Sequence, residues 1–152
     1  MRKPTDLVEM ETMLMARHMH LRSRSSGTQL DRSAYVLLSR IHLEGPMSIG
    51  QLSEAFSLDA STLNRQTAAM MREGLIERIP DPDGGIARKF QVTAEGVRKM
   101  EADRAFGVAG LNRVLENWTA EEVADFVEML KRFNTDIERL DGRPWPRPAT
   151  DS

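Results

Sequence analysis

No cysteine occurs among the 152 residues. Disulfides, thiolate zinc sites and thiol redox sensing are therefore excluded. Histidine is nearly as scarce, limited to His18, His20 and His42. His18 and His20, two residues apart, point to different faces of a helix, which is poor geometry for sharing a metal ion. Zinc held by His and Glu alone is disfavoured, and no metal or other cofactor is expected. No apolar run approaches the roughly 20 residues a membrane helix requires. The start, Met1-Arg2-Lys3-Pro4-Thr5-Asp6, leads into no signal-type apolar core, so a cytoplasmic location is expected. Neither sign of charge dominates, and the net value is −2. That argues against nonspecific coating of nucleic acid but not against site-specific binding, which depends on where Arg and Lys sit. There is also no nucleophile–base constellation, no Gly-rich phosphate loop before a helix and no metal motif. An enzyme is not expected.

What is present concentrates between Ser48 and Gly96. Ser48-Ile49-Gly50-Gln51 fits a capping box and opens a short helix that buries Leu52, Ala55 and Phe56. Ser57-Leu58 is a turn. Asp59 suits the N-cap of the next helix, where its carboxylate meets the positive end of the helix dipole. Leu63, Thr67 and Met70 recur inward at helical spacing, and Gly74 stops the run. Leu75–Ile79 and Arg88–Val92 alternate as strands around Asp81-Pro82-Asp83-Gly84-Gly85, which has strong turn chemistry. The order is helix-turn-helix followed by a β-wing. The fold class expected is mainly α with a small β-hairpin wing and a helical dimerisation region.

The flanks carry long apolar stripes. A first helix from Thr5 or Asp6 to about Arg22 shows Leu7, Met10, Leu14, His18 and Leu21 near a heptad spacing. A loop with Ser23, Ser25, Ser26 and Gly27 follows. Asp31 begins a helix with Ala34, Tyr35, Leu37, Leu38 and Ile41, ended by Gly45-Pro46. Thr93 caps a long helix with Val97, Met100, Val108, Leu111 and Leu115 on one stripe. After Trp118, a second capping box at Thr119–Glu122 opens a last helix with Val123, Phe126, Val127, Leu130, Phe133, Ile137 and Leu140. The Pro-rich run from Gly142 cannot continue it and reads as a mobile tail. The chain thus divides into residues 1–29 (dimerisation helix and loop), 30–96 (winged helix-turn-helix), 97–141 (dimerisation helices) and 142–152 (tail). Stripes left over once a small core is built are most simply buried in a second copy, with two-fold symmetry as the default. The alternative is an intrachain three-helix bundle.

The chain resembles the MarR family of bacterial transcriptional regulators over about residues 5 to 140. Leu30–Tyr35, Leu38 and Gly45-Pro46-Met47-Ser48 look like the second helix and its turn. Leu52–Asp59 looks like the first helix of the helix-turn-helix. Ser61-Thr62-Leu63-Asn64-Arg65, then Met70 to Arg78, looks like the recognition helix and its exit. Asp81-Pro82 and Val92–Gly96 look like the two ends of the wing. The order and spacing of these short motifs carry the resemblance. One departure stands out. The family wing carries Asp and then Arg-Arg at its tip, with an arginine entering a minor groove; here the tip reads Gly84, Gly85, Ile86.

The resemblance implies a homodimer on a pseudo-palindromic operator of double-stranded DNA, with half-sites roughly 10 base pairs apart. It also implies repression relieved by a small, often aromatic, effector. Ser61, Thr62, Asn64, Arg65 and Gln66 are the candidate base readers, Arg for guanine and Asn or Gln for adenine; the plainer reading is a polar face toward water. Ser48 and Gln51 are caps that also suit phosphate contact. Arg88 and Lys89 are the basic groups nearest the wing tip. His18, Tyr35 and Met100 are candidate pocket residues where the first, second and fifth helices meet. Met10, Met13, Met15 and Met19 suit either an adaptable pocket or simple dimer packing, the latter being favoured. Gly107 and Gly110 weaken the long helix and suggest a hinge, or are simply tolerated by packing. The rival function is a winged-helix module that recognises protein without specific DNA binding.

Overall fold

A computed structural model describes residues 1–23 and 27–149. Its elements are α1 (Thr5–Ser23), α2 (Arg32–Glu44), α3 (Ile49–Phe56), α4 (Ala60–Arg72), β1 (Ile76–Ile79), β2 (Lys89–Val92), α5 (Ala94–Val114) and α6 (Ala120–Asp141). Ser25 and Ser26 of the anticipated loop, and the side chains of His20 and Leu21, lie outside the described residues.

Local chemistry places the helix starts. Asp31, Ser48, Asp59, Thr93 and Thr119 each accept a backbone N–H two or three residues into the helix they cap. Such a cap contributes about 1 kcal/mol. Both expected capping boxes are present, Ser48 with Gln51 and Thr119 with Glu122. The turn between α3 and α4 pivots on Ser57, which adopts the left-handed conformation at φ 53°. Gly74, at φ 74°, turns α4 into the wing.

The core lies under the helix-turn-helix. Leu38, Leu52, Leu63 and Leu75 are completely buried, and Phe90 is nearly so. These residues come from α2, α3, α4, the lead-in to β1, and β2. The two strands pair antiparallel, with Ile76 opposite Val92 and Ile79 opposite Lys89. They are shorter than the sequence suggests by one residue each, since Leu75 and Arg88 fall outside the ladder. Met47 adds a one-residue edge: its N–H donates to the Phe90 carbonyl and the Phe90 N–H donates back, at 3.2 and 2.8 Å. At the other end of the hairpin, the Thr93 hydroxyl and N–H donate to the Gly74 and Leu75 carbonyls. A Cβ on Gly96 would run into the Leu75 carbonyl and the Val92 side chain. The start of α5 is therefore seated directly on the base of the wing.

The terminal helices are different. No described residue of α1 or α6 is buried. The α6 stripe is laid open, with Phe133 43% and Ile137 46% exposed, and Leu7 of α1 is 57% exposed. Among the described residues these stripes do not come together as an intrachain bundle. The helix α5 runs unbroken through Gly107 and Gly110. Between Arg143 and Arg147 the segment after α6 makes contacts with the fold. Glu138 binds the Trp145 N–H and the Arg147 guanidinium and draws the segment back onto the fold.

Candidate nucleic-acid interface

Three inward residues of α4, Leu63, Thr67 and Met70, are buried. They fix the rotation of the helix, and the remaining positions of its first two turns follow from the 3.6-residue period. Ser61, Asn64 and Arg65 are exposed, while Thr62 and Gln66 are half-buried. Thr67 keeps its hydroxyl satisfied inside by donating to the Leu63 carbonyl at 2.8 Å. It therefore acts as packing and leaves the polar outer face to its neighbours.

The start of α4 is a small hydrogen-bonded cluster. Asp59 accepts from the Thr62 N–H at 2.9 Å and from the Ser61 hydroxyl at 3.1 Å. Hydrogen bonds from Thr62, side chain first and then backbone, and from Ser61 hold the Asp59 carboxyl below the usual carboxylate range, and the Arg65 charge adds to this. Arg65 itself reaches back along the helix, with one amino group 3.4 Å from the Thr62 hydroxyl. Its guanidinium is thus held over the N-terminal turn, the part of a recognition helix that meets base edges. Ser48 and Gln51 are engaged with each other across the start of α3, at 2.9 and 3.2 Å. The backbone N–H groups of both positions are thus taken up by the capping box.

The wing is braced at its base. Asp81 accepts from the Asp83 N–H at 2.9 Å and pairs with the Lys89 ammonium at 3.4 Å, both side chains being 13% exposed. The backbone N–H groups of Asp83 and Gly85 and the Lys89 charge keep the Asp81 carboxyl ionised below the usual range. Lys89 is therefore occupied within the wing. Arg88 is exposed. Arg78 lies over the Phe90 ring, 5.5 Å from its centroid. At the tip, Ile86 is fully exposed, and Gly84 holds φ 83°.

Comparisons with known proteins identify the family. The family model described as "MarR family" matches residues 30–84. The uncharacterized HTH-type transcriptional regulator YxaD of Bacillus subtilis (strain 168) is 35% identical over 133 residues, covering 86% of this chain and 93% of its own. The chain belongs to the MarR family. Among solved structures, a MarR family protein from Bacillus stearothermophilus superposes with a TM-score of 0.76 at 23% identity, covering 90% of this chain and 99% of that one. A mutant MarR from E. coli, solved in complex with operator DNA, superposes with a TM-score of 0.63 at 22% identity, covering 84% and 93%. At these identities the structural matches speak for the winged helix fold.

A cavity of about 260 Å³ opens between α1, α2 and α5. Met19, Leu30, Tyr35, Phe106, Val108 and Leu111 supply its apolar wall, and Arg32 and Arg104 supply cationic groups. Of the three pocket candidates, Tyr35 lines it. Met100 is buried in the core, and His18 is exposed outside the lining. His18 and Met100 are not among the residues lining this cavity, and Met100 belongs to the core cluster.

Sequence reasoning missed one residue that lines the cavity. Asp103 is 7% exposed, and its two carboxylate oxygens accept the Gln29 and Leu30 N–H groups at 2.8 and 2.9 Å. It ties the lead-in to α2 onto α5. The available signal was a lone carboxylate near the apolar stripe of α5, and nothing local identifies its partners 73 and 74 residues away.

Proposed function

We propose that this MarR-family chain is a homodimeric, sequence-specific DNA-binding transcriptional regulator, and that it represses by occluding a promoter. The observation that carries the reading is the presentation of α4: buried Leu63, Thr67 and Met70 lock its rotation, leaving Ser61, Asn64 and Arg65 outward at its first turns. Arg65 is assigned to guanine, Asn64 and Gln66 to adenine, and Ser61 and Thr62 to adjoining contacts. Ser48, Gln51 and Arg88 are assigned to phosphates, with Lys89 supporting the wing. The exposed apolar residues of α1 and α6 support a two-fold dimer.

The cavity beside Tyr35 suits an effector. Its apolar wall with Arg32 and Arg104 favours a small, flat apolar molecule bearing an acidic group. Because α1, α2 and α5 all line it, an occupant that fits one head spacing better than another shifts the dimer between a DNA-fitting and a non-fitting state. Footprinting on the DNA upstream of the protein's own gene tests the reading. Two protected patches about one helical turn apart are expected. Protection at a single patch, or none, counts against the dimeric regulator.

The wing favours a second reading, a module that docks on protein. Its tip carries Ile86 where the family places arginine, and Lys89 is paired with Asp81. Specific footprinting with no wing protection would leave the first reading standing on α4 alone. Absence of any footprint would favour the second.

A further inference from the structure

The segment after α6 doubles back onto the helix-turn-helix. Arg143 donates from Nε to the Glu54 carbonyl at 3.1 Å. That carbonyl belongs to the last turn of α3, where carbonyls lack intrahelical partners. The guanidinium also sits at the negative end of the α3 dipole. Two residues on, the Trp145 ring stands edge-on to Phe56 at the end of α3, with centroids 5.4 Å apart and planes at 86°. The Arg40 guanidinium of α2 lies 4.6 Å from the centroid of the same indole. Helix α6 holds the segment from the other side. Glu138 accepts from the Trp145 N–H at 2.6 Å and from two amino groups of Arg147 at 2.9 and 2.6 Å.

These contacts matter because, among the described residues of its own chain, α6 has little else to fix it against the head. It spans 22 residues and buries none of them, a rod about 33 Å long. Its first turns carry the connector from α5, whose Trp118 ring packs on Phe126 at 5.4 Å. Its far end meets the head through Arg143 and Trp145, and Arg147 ties that segment back to α6. A rod pinned only at its base swings; one pinned at both ends holds an angle.

We propose that Arg143, Trp145 and Arg147 form a strap that sets the angle between α6 and the DNA-reading head, making Trp145 a positioning residue that acts on α4 through α3. The consequence for DNA affinity rests on the DNA-binding reading above; the angle itself does not. The absence of cysteine makes the test direct, because two introduced cysteines are the only labelling sites. Glu77→Cys on β1 and Asp125→Cys on α6, both at exposed positions, carry spin labels. The labelled chain is diluted into excess unlabelled chain, so each assembly holds one labelled pair. Pulsed electron resonance then reads the head-to-α6 distance in the otherwise native chain, in Trp145→Ala and in Trp145→Phe.

The native chain should give one narrow distribution. Trp145→Ala should broaden and shift it at unchanged helix content, and Trp145→Phe, which keeps a ring for Phe56 and Arg40, should restore it. Binding to upstream DNA should weaken on order of tenfold in Trp145→Ala, as for a head correctly placed about one-tenth of the time. The salt slope should stay the same, because no phosphate contact is removed. If Trp145→Ala does not fold, Arg147→Ala takes its place and should give the same broadening in milder form. An unchanged distribution in a folded strap variant overturns the proposal. A native chain that shows no preference over scrambled DNA defeats the DNA reading, and the distance measurement still decides the strap.

Discussion

The head and the arms of this molecule use their apolar residues in opposite ways. In the head, Leu38, Leu52 and Leu63 are completely buried against one another's elements. In α6 the stripe is as regular, while α1 spreads its apolar residues around the helix, and Leu7, Met10, Phe133 and Ile137 remain substantially exposed. The head is complete within one chain. The arms are built for a surface the single chain does not supply, and on the proposed reading that surface is the second protomer. Stability and DNA affinity should therefore respond to different halves of the sequence.

The sharpest way to break that contrast is to charge the arm. Phe133→Asp with Ile137→Asp should produce monomers in sedimentation while the head keeps its helical signal. Apparent affinity for upstream DNA should fall by roughly 10²- to 10⁴-fold, the loss expected when two linked contacts become one. A variant that stays dimeric would place the interface elsewhere. In the head, Leu63→Ala should instead lower unfolding free energy by about 2–5 kcal/mol, because a cavity opens in a site that cannot collapse. Denaturant titration reads it, and a loss well below that range would mean the core is less tightly packed than its burial indicates.

Arg65→Ala acts on neither. Its guanidinium is exposed, 3.4 Å from the Thr62 hydroxyl, so folding should be unaffected while specificity relaxes at one base pair by about 1–3 kcal/mol. Unchanged selection from a randomised duplex pool would remove the assignment. A smaller, opposite effect is expected at the wing tip. Gly85 is a poor place to restore the missing arginine, since a Cβ there would strike the Asp81 carboxylate that holds Lys89. Ile86 is open to solvent, and Ile86→Arg should tighten binding several-fold, with a salt slope steeper by about one counterion. No change would show that the wing lies away from DNA.

The smallest effect expected is with pH. Arg147, and then the Trp145 N–H, hold the Glu138 carboxyl down from 4.5 to about 2. A carboxylate with a depressed folded value contributes fully above the unfolded value and loses that contribution as pH falls through the folded one. The strap should therefore be indifferent to pH from about 5 upward and loosen only toward about 2. The spin-label distance measured across that range checks it, and loosening near neutrality would point to another titrating group.

Which parts of this were legible in the sequence follows from how local their causes are. Asp59, Thr93 and Thr119 declare helix starts because a cap acts over three residues. Leu63, Thr67 and Met70 declare the inner face of α4 because the helical period is fixed. Asp103 could not be read, since its partners Gln29 and Leu30 are brought to it by the fold. Met47 gave no strand signal because one residue pairing with Phe90 has no period. The contacts of the segment after α6 were not legible for a different reason. Its prolines correctly end α6, but the ring of Trp145 and the charges of Arg143 and Arg147 dock it afterwards. Within the cavity, Tyr35 faces the lumen while Met100 turns into the core, a distinction of helix rotation finer than the stripe alone conveys.

The central claim is that two copies of this chain read one DNA site through α4. Titrating the purified protein into its own upstream duplex at two salt concentrations, against a scrambled duplex of equal length, tests it most directly. The account predicts saturation at two protomers per duplex, preference over the scramble, and affinity that falls steeply as salt rises. Equal binding to both duplexes, or saturation at one protomer, would contradict it.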